Sequence, residues 1–213
     1  MTGPDDQHGP AAILIGPPGA GKSTIGPLLA ARLGVGFVDT DDRVEAVAGK
    51  PVGDIFVEDG EPAFRALERE AVAQAVAGHD GVLGLGGGAV LDPGTQQLLA
   101  GRPVVYLATG FATAAKRVGM DVPRPLLMGN PRAQLKALLE QRLPVYEKLA
   151  LITVTTDGRD PEEITADIEA QIAREAPQGS QPRRPAGGRE GGWGGGRGMT
   201  REGSGGSPPE AAH

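Results

Sequence analysis

The chain has 213 residues, a formal net charge of −6, no cysteine and three histidines, at positions 8, 79 and 213. The missing cysteines exclude disulfides, thiolate metal sites and a cysteine nucleophile, and the scattered histidines give no metal-ligand spacing. No apolar run reaches the ~18 residues of a membrane span, the N-terminus lacks a signal-peptide pattern, and the acidic balance argues against a general nucleic-acid binder, so a cytoplasmic protein without membrane or nucleic-acid partners is expected.

Residues 1–10 read as a disordered N-terminus. The first predicted strand is Ala12–Ile15, followed by Gly16-Pro17-Pro18-Gly19-Ala20-Gly21-Lys22-Ser23 and a helical pattern over Ser23–Leu33. This stretch matches the phosphate-binding loop G-x-x-x-x-G-K-[ST] at every fixed position. Its strand–loop–helix setting is the one the motif needs. Glycines turn backbone N–H groups inward around phosphate oxygens, and the new helix adds its positive N-terminal dipole. Lys22 then reaches the β- and γ-phosphates of ATP, and the Ser23 hydroxyl helps to hold Mg²⁺.

A second strand over Val35–Val38 runs into Asp39-Thr40-Asp41. If the strand continues, the two carboxylates point the same way, one for a metal and one for a substrate hydroxyl. The competing reading is an ordinary helix N-cap. Helical patterns cover Asp41–Ala48, Val52–Glu58 and Pro62–Gly78, the last carrying Arg65, which could face inward or sit on a charged surface. Phe56 and Phe64 could be core or could wall a pocket for a small ring, and periodicity alone favours core for both. A strand over Val82–Leu85 leads into Gly86-Gly87-Gly88, which either lets a ligand approach the backbone closely or makes a flexible turn. Next come a helix Pro93–Ala100, a strand Val104–Leu107 and a helix Ala112–Arg117. The segment 118–130, holding Arg124 among glycines and prolines, suits a mobile lid or a plain surface loop. A helix Pro131–Leu149, a strand Leu151–Val154 and a helix Pro161–Arg174 complete the domain. Pro62, Pro93, Pro131 and Pro161 stand where helices would begin. Arg142 and Arg159 mean little in isolation.

Beyond the domain at 11–176, residues 177–213 contain 12 glycines and 5 prolines with almost no apolar periodicity. Such a tail cannot repay its ordering entropy and reads as disordered. Its five arginines outnumber its three glutamates, so the rest of the chain is more acidic than the total.

The predicted strands are short, rich in Val, Leu and Ile, and not alternating, which is how strands buried on both faces read. Helical crossovers between them imply a parallel α/β sheet. Ligands of such sheets bind beyond the strand C-termini. The phosphate loop, Asp39 and the triple glycine all follow strand ends, so they converge on one sheet edge.

The ordered set GPPGAGKST, FVDTD, DIFVEDGEPAFRALE, LGLGGGAV, RPLL and RLPVYEKLA resembles the shikimate kinase family over roughly residues 12–174. The resemblance implies a three-layer P-loop NTPase sandwich with a five-stranded parallel sheet of the nucleoside-monophosphate-kinase type and a mobile lid. It implies transfer of phosphate from ATP, with Mg²⁺, to the 3-hydroxyl of the small-molecule substrate shikimate, in chorismate and aromatic amino acid synthesis. By that likeness Gly19, Ala20, Gly21, Lys22, Ser23 and Thr24 bind the ATP phosphates. Ser23 ligates the metal, with Asp39 near it. Asp41 holds the substrate hydroxyls and helps the attacking oxygen. Arg65 and Arg142 clamp the carboxylate, as guanidinium suits, and Gly86, Gly87 and Gly88 offer backbone N–H groups. Arg124 bridges the transferring phosphate, and Arg117 and Arg159 lie against adenine. A monomer is expected. Two rivals stand: a gluconate-kinase-like enzyme on the same fold, and a catalytically silent nucleotide-binding module acting through its tail. The second would require a missing catalytic residue, and Lys22, Ser23, Asp39, Asp41 and Arg124 are all present.

Overall fold

The computed structural model describes residues 9–119 and 131–175. Five parallel strands form one sheet in the order β2-β3-β1-β4-β5. They are β1 (Ala12–Ile15), β2 (Phe37–Asp39), β3 (Val82–Gly84), β4 (Val104–Ala108) and β5 (Ile152–Thr155). The helices are α1 (Lys22–Leu33), α2 (Thr40–Ala48), α3 (Val52–Glu58), α4 (Gly60–Gly78), α5 (Pro93–Leu99), α6 (Phe111–Arg117), α7 (Pro131–Leu149) and α8 (Pro161–Glu175).

The central strand shows why the sheet is covered on both sides. Successive side chains of a strand point to opposite faces, and all four residues of β1 are buried. Ala12 and Leu14 pack with Leu29 of α1 and with Ile164 and Ile168 of α8. Ile13 and Ile15 pack with Val72 and Val76 of α4 and Tyr146 of α7 on the other face. Each fully buried Leu or Ile contributes about 1.5–3 kcal/mol, so the three layers hold one another. A separate apolar cluster of Val44, Ile55, Phe64 and Ala71 ties α2, α3 and α4 together.

The structure corrects several local expectations. The second strand starts at Phe37, because Gly34 takes a left-handed C-cap (φ 69°) and the Val35 N–H is used by the Ala30 carbonyl. The last strand does alternate: Ile152 and Val154 are buried while Thr153 and Thr155 are exposed, as suits a sheet edge. Pro62 is the third residue of α4 rather than the first, still within the turn whose N–H groups lack intrahelical acceptors. Phe56 is 37% exposed although its ring lies 4.5 Å from that of buried Phe64, so only Phe64 is core.

Candidate active site

The phosphate-binding loop connects the end of β1 to the start of α1. Gly19 (φ 79°) and Gly21 (φ 100°) adopt backbone conformations that side chains resist. A Cβ at Gly19 would also lie 2.9 Å from the Ala114 carbonyl oxygen. Lys22 Nζ donates to the carbonyls of Gly16 (2.8 Å) and Pro17 (3.2 Å), folded back into its own loop. Burial pushes its pKa below the ordinary lysine value, against the opposing pull of Asp41 and Asp39.

Asp39 ends β2 and performs two tasks at once. Its Oδ1 accepts from the Asp41 N–H at 3.1 Å and caps α2. Its Oδ2 accepts from the Ser23 hydroxyl at 3.2 Å. The strand therefore stops at Asp39, and Asp41 leaves the first turn of α2 instead of sharing a strand face with Asp39. Among the described residues no group of three or more His, Cys, Asp or Glu side chains is arranged to hold a metal ion by itself. The Ser23–Asp39 pair is an all-oxygen donor set, which suits a hard cation that keeps waters and phosphate oxygens as its other ligands.

Asp41 lies deeper. Its Oδ1 is buried and accepts no hydrogen bond. Burial pushes its pKa up to about 6, with the negative charges of Asp39 and Glu68 adding to the rise and Lys22 opposing it. Gly86 is packed against this carboxylate: a Cβ there would collide with Asp41 Oδ1 and lie 2.9 Å from Glu68 Oε1.

The triple glycine has its own hydrogen-bond pattern. Gly86 N–H donates to Thr40 Oγ1 at 3.1 Å. The Gly86 and Gly88 carbonyls accept from Ala89 N–H and Leu91 N–H, both at 3.0 Å, and the Gly87 carbonyl accepts from the Tyr146 hydroxyl at 2.6 Å. The N–H groups of Gly87 and Gly88 donate to nothing among the described residues. Two arginines border this open pair. Arg65 Nη1 would lie 2.5 Å from a Cβ on Gly88, and Arg142 Nη1 3.4 Å from one on Gly87. The buried Arg142 Nε has no acceptor. Arg65 is held by Glu68 Oε2 (2.6 Å) and by Glu61 Oε1 (3.2–3.3 Å). Glu68 is 3% exposed, and burial raises its pKa while Arg65 and Arg142 oppose the rise.

Arg117 and Arg159 meet at a cleft of about 140 Å³ beside the phosphate loop, shared with Ala20, Gly21, Thr24 and Pro161. Arg117 Nη1 donates to Gly19 O and Thr156 Oγ1, both at 3.1 Å, and Arg159 Nη1 to Asp167 Oδ2 at 3.2 Å. The structure thus brings together every described residue singled out in the sequence, in two adjoining groups. Arg124, with the lid segment, lies outside the described residues. Sequence reasoning missed Glu68 and Tyr146. The available signal was helical spacing, because Glu68 follows Arg65 by three residues and Tyr146 follows Arg142 by four.

A parallel sheet with this strand order, a phosphate loop after its central strand and an arginine-bordered pocket alongside defines a P-loop phosphotransferase of the nucleoside-monophosphate-kinase type. Comparison with known proteins narrows the class. The sequence model of the shikimate kinase family matches residues 18–173. The shikimate kinase of Thermobifida fusca is 61% identical over 168 residues, covering 79% of this chain and 95% of the relative. That of Saccharopolyspora erythraea is 53% identical over 173 residues, covering 81% and 99%. The solved structure of shikimate kinase from Acinetobacter baumannii in complex with shikimate superposes with a TM-score of 0.73 at 33% identity, covering 80% of this chain and 96% of that one. The Aquifex aeolicus enzyme gives 0.64 at 30% identity, covering 78% and 97%. The chain belongs to the shikimate kinase family.

Proposed function

We propose that the protein transfers the γ-phosphoryl group of ATP to the 3-hydroxyl of shikimate, giving 3-phosphoshikimate and ADP. Family membership supplies the reaction. The structural observation that carries it is the convergence of Asp41, Arg65, Arg142 and the open N–H groups of Gly87 and Gly88 beside the phosphate loop. A cyclic carboxylic acid with several hydroxyls matches that donor set: guanidinium and N–H groups for its carboxylate, a carboxylate for its hydroxyls.

The loop Gly19–Thr24 and Lys22 hold the β- and γ-phosphates, and Lys22 exchanges its two carbonyl acceptors for phosphate oxygens. Ser23 and Asp39 would hold Mg²⁺, which when bound neutralises charge building on the phosphates. Arg117 and Arg159 flank the base. Arg65 and Arg142 fix the acceptor by its carboxylate, so that the 3-hydroxyl faces the γ-phosphorus. Asp41 accepts the hydrogen bond of that hydroxyl and takes up its proton as the new O–P bond forms and the bond to the ADP oxygen breaks. A pKa of about 6 makes it a better acceptor than an ordinary carboxylate while leaving it ionised at neutral pH. The role that the family resemblance implies for Arg124, bridging the transferring phosphate, belongs to the same reading. The cytoplasmic, monomeric state expected from the sequence belongs to the same reading. No helix among the described residues is long and apolar enough to cross a membrane.

The deciding experiment is a coupled ADP-release assay with MgATP and shikimate, gluconate or no acceptor, run on the protein and on Lys22→Met. Shikimate-dependent turnover, reduced by ~10²-fold or more in Lys22→Met, is expected. Turnover with gluconate alone would reject the acceptor, and nucleotide binding without turnover would favour a silent module.

A further inference from the structure

The triple glycine is held unevenly. Two of its three carbonyls are fixed by N–H groups three residues further along the chain. The third, on Gly87, depends on a side chain 59 positions later. Tyr146 belongs to α7, which packs on the face of the sheet opposite α1. It is 1% exposed and stacks on Tyr106 at 5.2 Å between ring centroids, so its ring has one place to sit. Its hydroxyl reaches the Gly87 carbonyl at 2.6 Å, at the short end for a neutral hydrogen bond.

That carbonyl matters for a geometric reason. The peptide bond is planar and trans, so the Gly87 C=O and the Gly88 N–H point in opposite directions across one rigid plane. Holding the carbonyl fixes where the Gly88 N–H points, and it restrains the φ/ψ freedom of Gly87, which no side chain limits. Within the triple glycine, the N–H groups of Gly87 and Gly88 are the ones that donate to nothing among the described residues. The same helix carries Arg142 one turn before Tyr146, and the Arg142 charge lies against the phenol. One residue therefore joins the helix that delivers a guanidinium to the loop that delivers the N–H groups.

We propose that Tyr146 is a positioning residue of the acceptor site, locking the Gly87–Gly88 peptide to α7 so that the loop N–H groups and the Arg142 guanidinium meet the acceptor in one fixed relation. The inference rests on the acceptor reading given above. Burial holds the phenol proton to a pKa of about 12, so the hydroxyl remains a donor across the working range of the enzyme. The Arg117–Arg159 cleft includes neither Tyr146 nor Gly87. The phosphate loop borders Gly87 only with its first residues, where a Cβ on Gly87 would lie 3.3 Å from Pro18 Cδ and 3.4 Å from the Gly16 carbonyl oxygen.

The test is Tyr146→Phe in the full chain, with Tyr106→Phe as a companion. Tyr106→Phe keeps the ring stack and removes a hydroxyl that does not touch the loop. Steady-state constants for both substrates and the melting temperature would be measured for each. Tyr146→Phe is expected to raise the KM for shikimate about fivefold to tenfold, with the KM for ATP unchanged and kcat within about twofold. Tyr106→Phe is expected to leave all three constants in place. An unchanged shikimate KM in Tyr146→Phe, or parallel rises in both KM values, would overturn the inference; a purely structural role gives the latter. Wild-type protein without shikimate-dependent turnover would instead refute the acceptor reading, and this inference with it. If Tyr146→Phe melts too low to assay, calorimetric titration of shikimate at low temperature reads the same loss of affinity.

Discussion

Asp41 shows at the scale of one residue how a fold raises the basicity of a side chain at a cost in stability. Its Oδ1 is sealed from water without a donor, between the phosphate loop and the triple glycine, and two further carboxylates lie nearby. The folded protein holds the Asp41 proton more tightly than the unfolded chain does, since its pKa rises from 3.8 to about 6. The stability this gives is therefore fully present below the unfolded value and is lost as pH rises through about 6. Asp41→Asn removes the charge that neutral pH forces into the site. It is expected to melt a few degrees above wild type at pH 8, by ~1–2 kcal/mol after allowing for partial exposure, with the gap closing towards pH 4. The same variant should lose kcat by ~10²-fold or more, because the hydroxyl loses its proton acceptor. Thermal melts across pH alongside steady-state assays check both halves. A variant that is active, or less stable at pH 8, would remove Asp41 from this role.

At the scale of elements, the glycines at the two ends of β3 serve different ends. Gly81, just before the strand, leaves no room for a Cβ because the Gly36 carbonyl stands there, and that carbonyl accepts the Val82 N–H that pairs β2 with β3. Backbone cannot yield without breaking the ladder, so Gly81→Ala should destabilise the protein by about 1–3 kcal/mol. At Gly88, beyond the other end, the atoms nearest a Cβ are those of the Arg65 guanidinium tip, Nη1 at 2.5 Å and Nη2 at 2.9 Å. A flexible guanidinium can move. Gly88→Ala should leave the melting temperature nearly unchanged and raise the shikimate KM about tenfold by displacing Arg65. The pair, measured together, separates a glycine kept for pairing strands from one kept for a ligand. Glu68 explains why Arg65 stands ready at that place: it is buried three residues along α4 and grips Nη1 at 2.6 Å.

At the scale of the molecule, the family match stops at residue 173, and the relatives are covered almost from end to end by the matched part of the chain. Removing residues 177–213 is accordingly expected to leave kcat and both KM values within about twofold. A large loss on truncation, read in the same coupled assay, would mean that the catalytic unit extends further. The sheet unites three strand ends from distant parts of the sequence. Asp39 stands opposite Gly84 in the β2–β3 register, and β1 lies between β3 and β4. That places the cap at Asp39, the triple glycine and the phosphate loop along one edge.

The sequence by itself determined the parts whose chemistry is local. A phosphate loop is readable because its glycines, lysine and serine act within eight consecutive residues between a strand and a helix. Short non-alternating apolar runs marked the inner strands for the same reason, since burial on both faces leaves its trace in each run. Tertiary structure decided what depends on encounters between distant segments. Asp41 is an ordinary helix-start carboxylate until burial beside Asp39 and Glu68 shifts its proton. Arg65 and Arg142, 77 positions apart, become a pair only because α4 and α7 both border the triple glycine. Tyr146 gains a role only because folding sets its hydroxyl on the Gly87 carbonyl, 59 positions earlier. Hydrogen bonds and desolvation act over a few ångströms of space, and only folding sets which residues lie that close.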